Sequence, residues 1–333
     1  MKMMIKRNKW LLILPLCAVI FACAEKTEES TDEIEQRIID AYLYSNPGYS
    51  TTSSGLCYKV EQEGTGYEFP KDDNFVYVNY TGYDFKGNIV INGTLPYSNS
   101  EDIAKQLGTF AYTKYYGPKI WGINKSTLYT GLEEAVKMMK PNGKMRVIMP
   151  SWLSAMGTNS SRSLTAPMIV DIELLTVITD ITKYQATELS LYAFYNYAGL
   201  DSTEYNFFYK TLKQGVDNLP QHGDTLDVRY VGYLLDGFVF DTNIADTASH
   251  YRIYDKDNEY KTLSVVLDTS STSNDYVLGF KKALEKMTEK SEAVTIFSSD
   301  YGYRSEGSGE IQPYSPLRFH LSVERIRRKP ETE

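Results

Sequence analysis

Apolar and polar residues alternate from Phe75 to Tyr83, with Val76, Val78 and Tyr80 on one face. The same alternation returns from Thr225 to Tyr233 with Leu226, Val228 and Tyr230, an offset of 150 positions. A period of two is the signature of a half-buried strand. Downstream, Leu132, Ala135, Val136 and Met139 fall at helical spacing in Gly131–Met139. Phe280, Ala283, Leu284 and Met287 do the same in Gly279–Met287, so each stretch predicts a short amphipathic helix. A strand is expected after each, Met145–Met149 and Ala293–Phe297. Each copy closes on an alternating strand, through Met168, Val170, Ile172 and Leu174 and through Leu317, Phe319, Leu321 and Val323. Upstream, Leu56–Val60 echoes Phe207–Thr211, and helices are predicted ahead of them over Ile34–Tyr44 and Tyr184–Tyr195.

A pattern repeated in this order predicts two tandem α+β units rather than one large core. The boundaries read as 1–22 for a leader, 23–31 for a tether, 32–180 for the first unit and 181–333 for the second. Each unit carries an insertion, about Gly93–Thr127 in the first, with many tyrosines and Trp121, and about Ile244–Tyr260 in the second.

The leader has four cations in its first nine residues, then an apolar run from Trp10 to Ala22 that is too short to span a bilayer as a mature helix. Ile20-Phe21-Ala22-Cys23 is similar to a bacterial lipobox, which implies signal cleavage, lipidation of Cys23 and an outer-membrane lipoprotein, periplasmic or surface-exposed. The polar, acidic stretch from Ala24 to Glu33 is expected to be a flexible tether. Removing Lys2, Lys6, Arg7 and Lys9 with the leader takes the formal charge from −8 to −12, which argues against nucleic acid as a partner. With Cys57 the lone cysteine beyond Cys23 and the three histidines scattered, neither an internal disulfide nor a metal site is expected.

The second unit reads Tyr230-Val-Gly-Tyr-Leu-Leu-Asp-Gly237-Phe-Val-Phe240-Asp241, then Tyr276-Val277-Leu278-Gly279-Phe280, then Asp300-Tyr301-Gly302-Tyr303, then Ile311 and Phe319. In order and spacing this resembles the FK506-binding-protein (FKBP-type) family of peptidyl-prolyl cis-trans isomerases. The resemblance implies an antiparallel sheet wrapped around one short helix in each unit, with a preceding helical segment. It further implies a shallow apolar pocket in the second unit. Carried over residue by residue, Tyr230, Phe240, Asp241, Phe280, Tyr303 and Phe319 would act on the substrate, and Val277 and Ile311 would help bind it. Phe280 stands where the family has tryptophan, and Tyr276 where a smaller aliphatic is common. In the first unit Tyr80 and Gly87 persist, but Val90-Ile91 replaces Phe-Asp, Leu132 the tryptophan, Met156 the tyrosine and Val170 the phenylalanine. That unit is therefore expected to keep the fold without the site.

The reaction so implied is rotation about X-Pro bonds of exported polypeptides, with no cofactor and no metal. Its barrier of about 18–20 kcal/mol comes from amide conjugation. A dry aromatic wall and positioned donors lower that barrier without a nucleophile. The competing reading is a non-enzymatic lipoprotein whose two units bind a protein or glycan partner. An insertion at Ile244–Tyr260 that fills the second pocket would favour it.

Overall fold

The computed structural model describes residues 29–92, 95–157, 160–197, 201–216, 218–267 and 276–330. Cys23 and the leader lie outside them. In the first unit α1 (Thr31–Ser45) precedes β1 (Ser50–Thr51), β2 (Cys57–Gln62), β3 (Phe75–Tyr83), β4 (Ile91–Asn92), β5 (Leu95–Pro96), α2 (Glu101–Gln106), β6 (Lys119–Gly122), α3 (Thr130–Lys137), β7 (Gly143–Met149) and β8 (Met168–Ile178). In the second, α4 (Ile181–Asn196) precedes β9 (Asp201–Glu204), β10 (Phe207–Lys213), β11 (Thr225–Leu234), β12 (Val239–Thr242), α5 (Ala245–His250), β13 (Leu263–Val266), α6 (Leu278–Leu284), β14 (Glu292–Phe297) and β15 (Leu317–Arg327).

Both main sheets are antiparallel and share one strand order. The first runs β1-β2-β7-β8-β3-β6. The second runs β9-β10-β14-β15-β11-β12, with β13 also pairing with the start of β11 as β6 pairs with β3. The matching orders make the chain a tandem of FKBP-like α+β units. Each sheet is covered on both faces, so its central strands are apolar at successive positions rather than alternating. In the first unit Val147, Met149 and Val170 face α3 with Leu132, Ala135 and Val136. The intervening Cys57, Ile148 and Ile169 face α1 through Ile39. In the second unit Phe208 and Ile296 meet Leu189 and Ala193 of α4 on one face, and α6 fills the other. Ile39 is fully buried, and that side chain alone contributes on the order of 1.5–3 kcal/mol.

Each leading helix is also fastened by one polar side chain. Glu35 accepts from the backbone N and the hydroxyl of Ser151, both at 2.5 Å. Gln185 accepts from the backbone N of Ser299 at 2.7 Å and donates to its hydroxyl at 2.9 Å. Both serines open 3-10 turns, Ser151–Leu153 and Ser299–Tyr301. The α1 helix begins earlier than the tether expectation allowed. Ser30 and Glu33 form a reciprocal capping box, so Thr31–Glu33 are the first helical turn.

The two units touch through the first unit's insertion and through Phe75 of β3, whose ring meets Tyr314 edge-to-face at 4.8 Å. Lys114 Nζ and the backbone N of Tyr115 donate to the carboxylate of Glu310 at 2.7 and 2.9 Å. Tyr115 sets its ring edge-to-face on Phe238 at 5.4 Å, and the Arg252 guanidinium lies over the ring of Tyr112 at 5.0 Å.

Candidate functional site

The site is built on the β11–β12 hairpin. Asn243, buried just past β12, accepts from the backbone N of Tyr230 at 2.9 Å and donates to the carbonyl of Val228 at 2.9 Å. This bracket fixes the register that pairs Gly232 with Asp241. Gly232 has no side chain where the Phe240 ring crosses the strand. A Cβ there would lie 2.5 Å from that ring, closer than carbon atoms pack.

Phe319 of β15 sits at the centre of an aromatic cluster. Its ring centroid is 5.6 Å from Phe240, 5.3 Å from Phe280, 5.9 Å from Phe297 and 6.4 Å from Tyr230. Phe280, Ile311 and Phe319 are buried, whereas Tyr230, Phe240, Val277 and Tyr303 are partly open and pack against them. Val277 caps the N-terminus of α6. Tyr276 stacks on Phe280 at 5.7 Å and 26°, extending the apolar face by a residue that sequence comparison marks only as a departure. Thus seven of the eight residues named above share one cluster. The eighth, Asp241, accepts from the Tyr230 hydroxyl at 2.7 Å.

That contact sets the electrostatics. Burial first, and then the Asp241 charge, push the Tyr230 hydroxyl well above the ordinary phenol range, and the same two causes raise Tyr303. Both phenols are therefore neutral donors throughout the physiological range. Tyr230 spends its proton on Asp241, while the Tyr303 hydroxyl has no hydrogen-bond partner among the described residues.

The second insertion packs partly behind β11 and partly beside the site. Ile244 and Ile253 pack on Val231, Tyr233 and Val239, on the face of β11 opposite Tyr230. A cavity of about 190 Å³ separates Phe240 and Asp241 from Ala248, Ile253 and Tyr260, with Thr113 of the first unit at its edge.

In the first unit the corresponding space is filled. Asn99 makes the same bracket as Asn243, accepting from Tyr80 N at 2.8 Å and donating to Val78 O at 3.2 Å. The backbone N of Gly82 donates to Tyr97 O at 2.8 Å. Tyr97 therefore lies opposite Gly82, as Asp241 lies opposite Gly232. This corrects the alignment of Val90-Ile91 with Phe240-Asp241. The extra hairpin β4–β5 begins before residue 93, and Ile91 sits half-exposed on it. Counted from the matched serines of the 3-10 turns, Ala155 rather than Met156 stands for Tyr303. Tyr97 and Trp121 pack on Tyr80, each at 5.1 Å, and close the space from the insertion side. Leu132 and Val170 are fully buried.

Among the described residues, no three His, Cys, Asp or Glu side chains gather where a metal ion could sit. Residues 216–324 match the family model of FKBP-type peptidyl-prolyl cis-trans isomerase. The second unit is therefore similar in sequence to that family. An FKBP-type isomerase named FkpA from Aeromonas hydrophila is 30% identical over 158 residues, covering 46% of this chain and 50% of its own length. A probable FKBP-type isomerase FkpA from Neisseria meningitidis is 27% identical over 129 residues, covering 38% of this chain and 40% of its own length. The chain thus spans about half the length, or less, of these curated relatives. The crystal structure of FkpA from Escherichia coli aligns with 44% of this chain and 59% of its own at 26% identity and a TM-score of 0.32.

Proposed function

We propose that the chain is a cell-envelope peptidyl-prolyl cis-trans isomerase whose second unit rotates X-Pro bonds of exported polypeptides. The observation that carries this reading is the joining of Phe240, Phe280 and Phe319 in one aromatic wall beside the Tyr230–Asp241 pair, within residues 216–324. A twisted amide is less polar than a planar one, so a wall that excludes water favours the transition state. Tyr303 supplies the donor for a substrate carbonyl, since its hydroxyl is uncommitted and held neutral by burial and by Asp241. Asp241 orients the ring of Tyr230 through their hydrogen bond. The first unit is inactive in this reading, because Tyr97 and Trp121 occupy the space over Tyr80. The second insertion meets this site at the Phe240 and Asp241 edge, where Ile253 and Tyr260 line a cavity of about 190 Å³ with them.

The test is isomerisation of a short X-Pro peptide by the whole chain. Phe240→Ala opens the wall to water and should lower kcat/KM by tenfold or more. Tyr303→Phe removes one donor and should cost about 1 kcal/mol of barrier, roughly fivefold. Parental activity in Phe240→Ala, with folding intact by circular dichroism, would reject the pocket.

Membrane attachment through lipid on Cys23 belongs to the same proposal and rests on the leader pattern alone. The chain should take up a fatty-acid label that Cys23→Ala does not. Equal labelling of both would remove the anchor.

A further inference from the structure

Between the two units lies a second concavity, about 410 Å³, separate from the aromatic wall. The first unit, α4, the turn at the end of β11 with Leu234, Leu235 and Asp236, and the loop ahead of β15 make it. The first unit gives Tyr77 and Tyr115, α4 gives Tyr184 and Tyr192, and the loop ahead of β15 gives Pro313 and Pro316. A groove walled by phenol faces and proline rings offers flat apolar contact together with hydroxyls able to reach peptide carbonyls.

Its lining charge is acidic, although the half-buried Arg318 donates to the hydroxyl of Tyr192, one of its walls, at 3.0 Å. Glu188 and Asp236, both exposed, line it, and no Lys or Arg stands among the lining residues. Asp236 already acts on the wall: burial and then its carboxylate push the Tyr115 hydroxyl far above the ordinary range. The groove does not end at its rim. Leu191, 48% exposed, and Tyr195, 77% exposed, line its α4 side, and Phe194, at 77%, adjoins them outside it. An occupant that covers this strip as well as the groove must be long and partly apolar, and must bring positive charge to the two carboxylates.

We propose that this junction is a second, non-catalytic binding site for an extended polypeptide segment carrying proline and aliphatic or aromatic side chains beside a Lys or Arg. It goes beyond the isomerase reading and does not depend on it. Its position gives that reading a consequence. The loop from Tyr303 to Pro316 borders the aromatic wall through Tyr303 and Ile311 and the groove through Pro313 and Pro316. One chain can therefore engage both sites, and holding it at the groove raises its effective concentration at the wall.

The test is fluorescence anisotropy with the full-length chain and two dye-labelled peptides of proline, leucine and tyrosine, identical except that one carries arginine where the other carries glutamate. The parent should bind the arginine peptide about tenfold more tightly, the yield of two exposed ion pairs. Glu188→Gln with Asp236→Asn should abolish that preference. Because Asp236 also accepts from the backbone N of Phe238 at 3.0 Å, Glu188→Gln alone serves as the second variant and should reduce the preference to about threefold. Leu191→Ser with Tyr195→Ser should weaken both peptides severalfold. Phe240→Ala should bind the arginine peptide as the parent does, whatever its isomerase activity. Equal affinity of the parent for the two peptides, or an undiminished preference in Glu188→Gln, overturns the proposal. So does loss of arginine-peptide binding in Phe240→Ala, which would place the binding at the aromatic wall.

Discussion

Gly232→Ala should damage catalysis through a single methyl group. Its Cβ would lie 2.5 Å from Cε2 and Cζ of Phe240 and 3.1 Å from Cε1 of Phe319, whereas packed carbons sit about 3.5–4.0 Å apart. One ring must retreat by about 1 Å. Phe319 cannot, because it is 5% exposed and wedged between Phe280 and Phe297. Phe240, which is partly open, moves instead. Overpacking of this kind costs about 1–3 kcal/mol of stability. Displacing a substrate-positioning wall by about 1 Å can cost up to roughly a hundredfold in rate, so kcat/KM should fall between ten- and a hundredfold. Gly82→Ala is the matched control. Its Cβ would meet Tyr97 Cδ1 at 2.5 Å and Met168 Sδ at 3.0 Å in the first unit, a similar overpacking with no reacting wall nearby. Denaturant unfolding should show comparable losses of stability for the two variants, and the X-Pro peptide assay should separate them. If Gly232→Ala is destabilised yet isomerises like the parent, the Phe240 ring is not part of the catalytic surface.

Two further predictions concern stability. Gln185 holds Ser299 as Glu35 holds Ser151, so Glu35→Gln should unfold within about 1 kcal/mol of the parent, while Glu35→Ala, which strands the buried Ser151 groups, should cost about 2–4 kcal/mol by urea titration; equal losses in the two variants would contradict the clamp. Burial pushes Tyr80 up to about 12, and Tyr49 likewise reaches about 12. A phenol raised on folding contributes fully below its ordinary value near 10 and loses that contribution as pH climbs toward 12. The unfolding midpoint should therefore hold level up to about pH 9.5 and decline above pH 10. The decline should be shallower in Tyr80→Phe by on the order of 2–3 kcal/mol at pH 12; identical slopes would rule Tyr80 out as a source.

Periodicity made much of this fold legible. The alternation around Tyr80 and Tyr230 and the helical spacing from Leu132 and Phe280 fall in β3, β11, α3 and α6. Seven of the eight residues taken from the family resemblance share one cluster because the antiparallel sheet sets β15, the last strand, directly beside β11. What escaped notice has no period. Asn99 and Asn243, Glu35 and Gln185 each act through one side chain reaching distant backbone, and a single polar residue leaves no recurrent signal. The aligned pair Val90-Ile91 went astray for a related reason. Spacing alone cannot tell whether extra residues enter before or after a strand returns, and here the hairpin β4–β5 enters before. Tyr97 was hidden by the same ambiguity, although its ring closes the first unit's pocket.

Glu310 carries a consequence for how the two halves depend on each other. Its carboxylate takes hydrogen bonds from Lys114 and Tyr115, which stand 196 and 195 positions earlier in the chain, and the next residue is Ile311. Without the first half, the loop from Tyr303 to Pro316 would keep bonds within its own unit, such as Arg304 N to Ser299 O and the Ser308–Ile311 pair, but lose the partners of Glu310 and the Phe75 ring against Tyr314. The first copy thus works as a splint for the second. An excised second half and the intact chain would then differ in how that loop is held. In the isomerase reading, selection for turnover would reach into the first half at Lys114 and Tyr115, far from the aromatic wall.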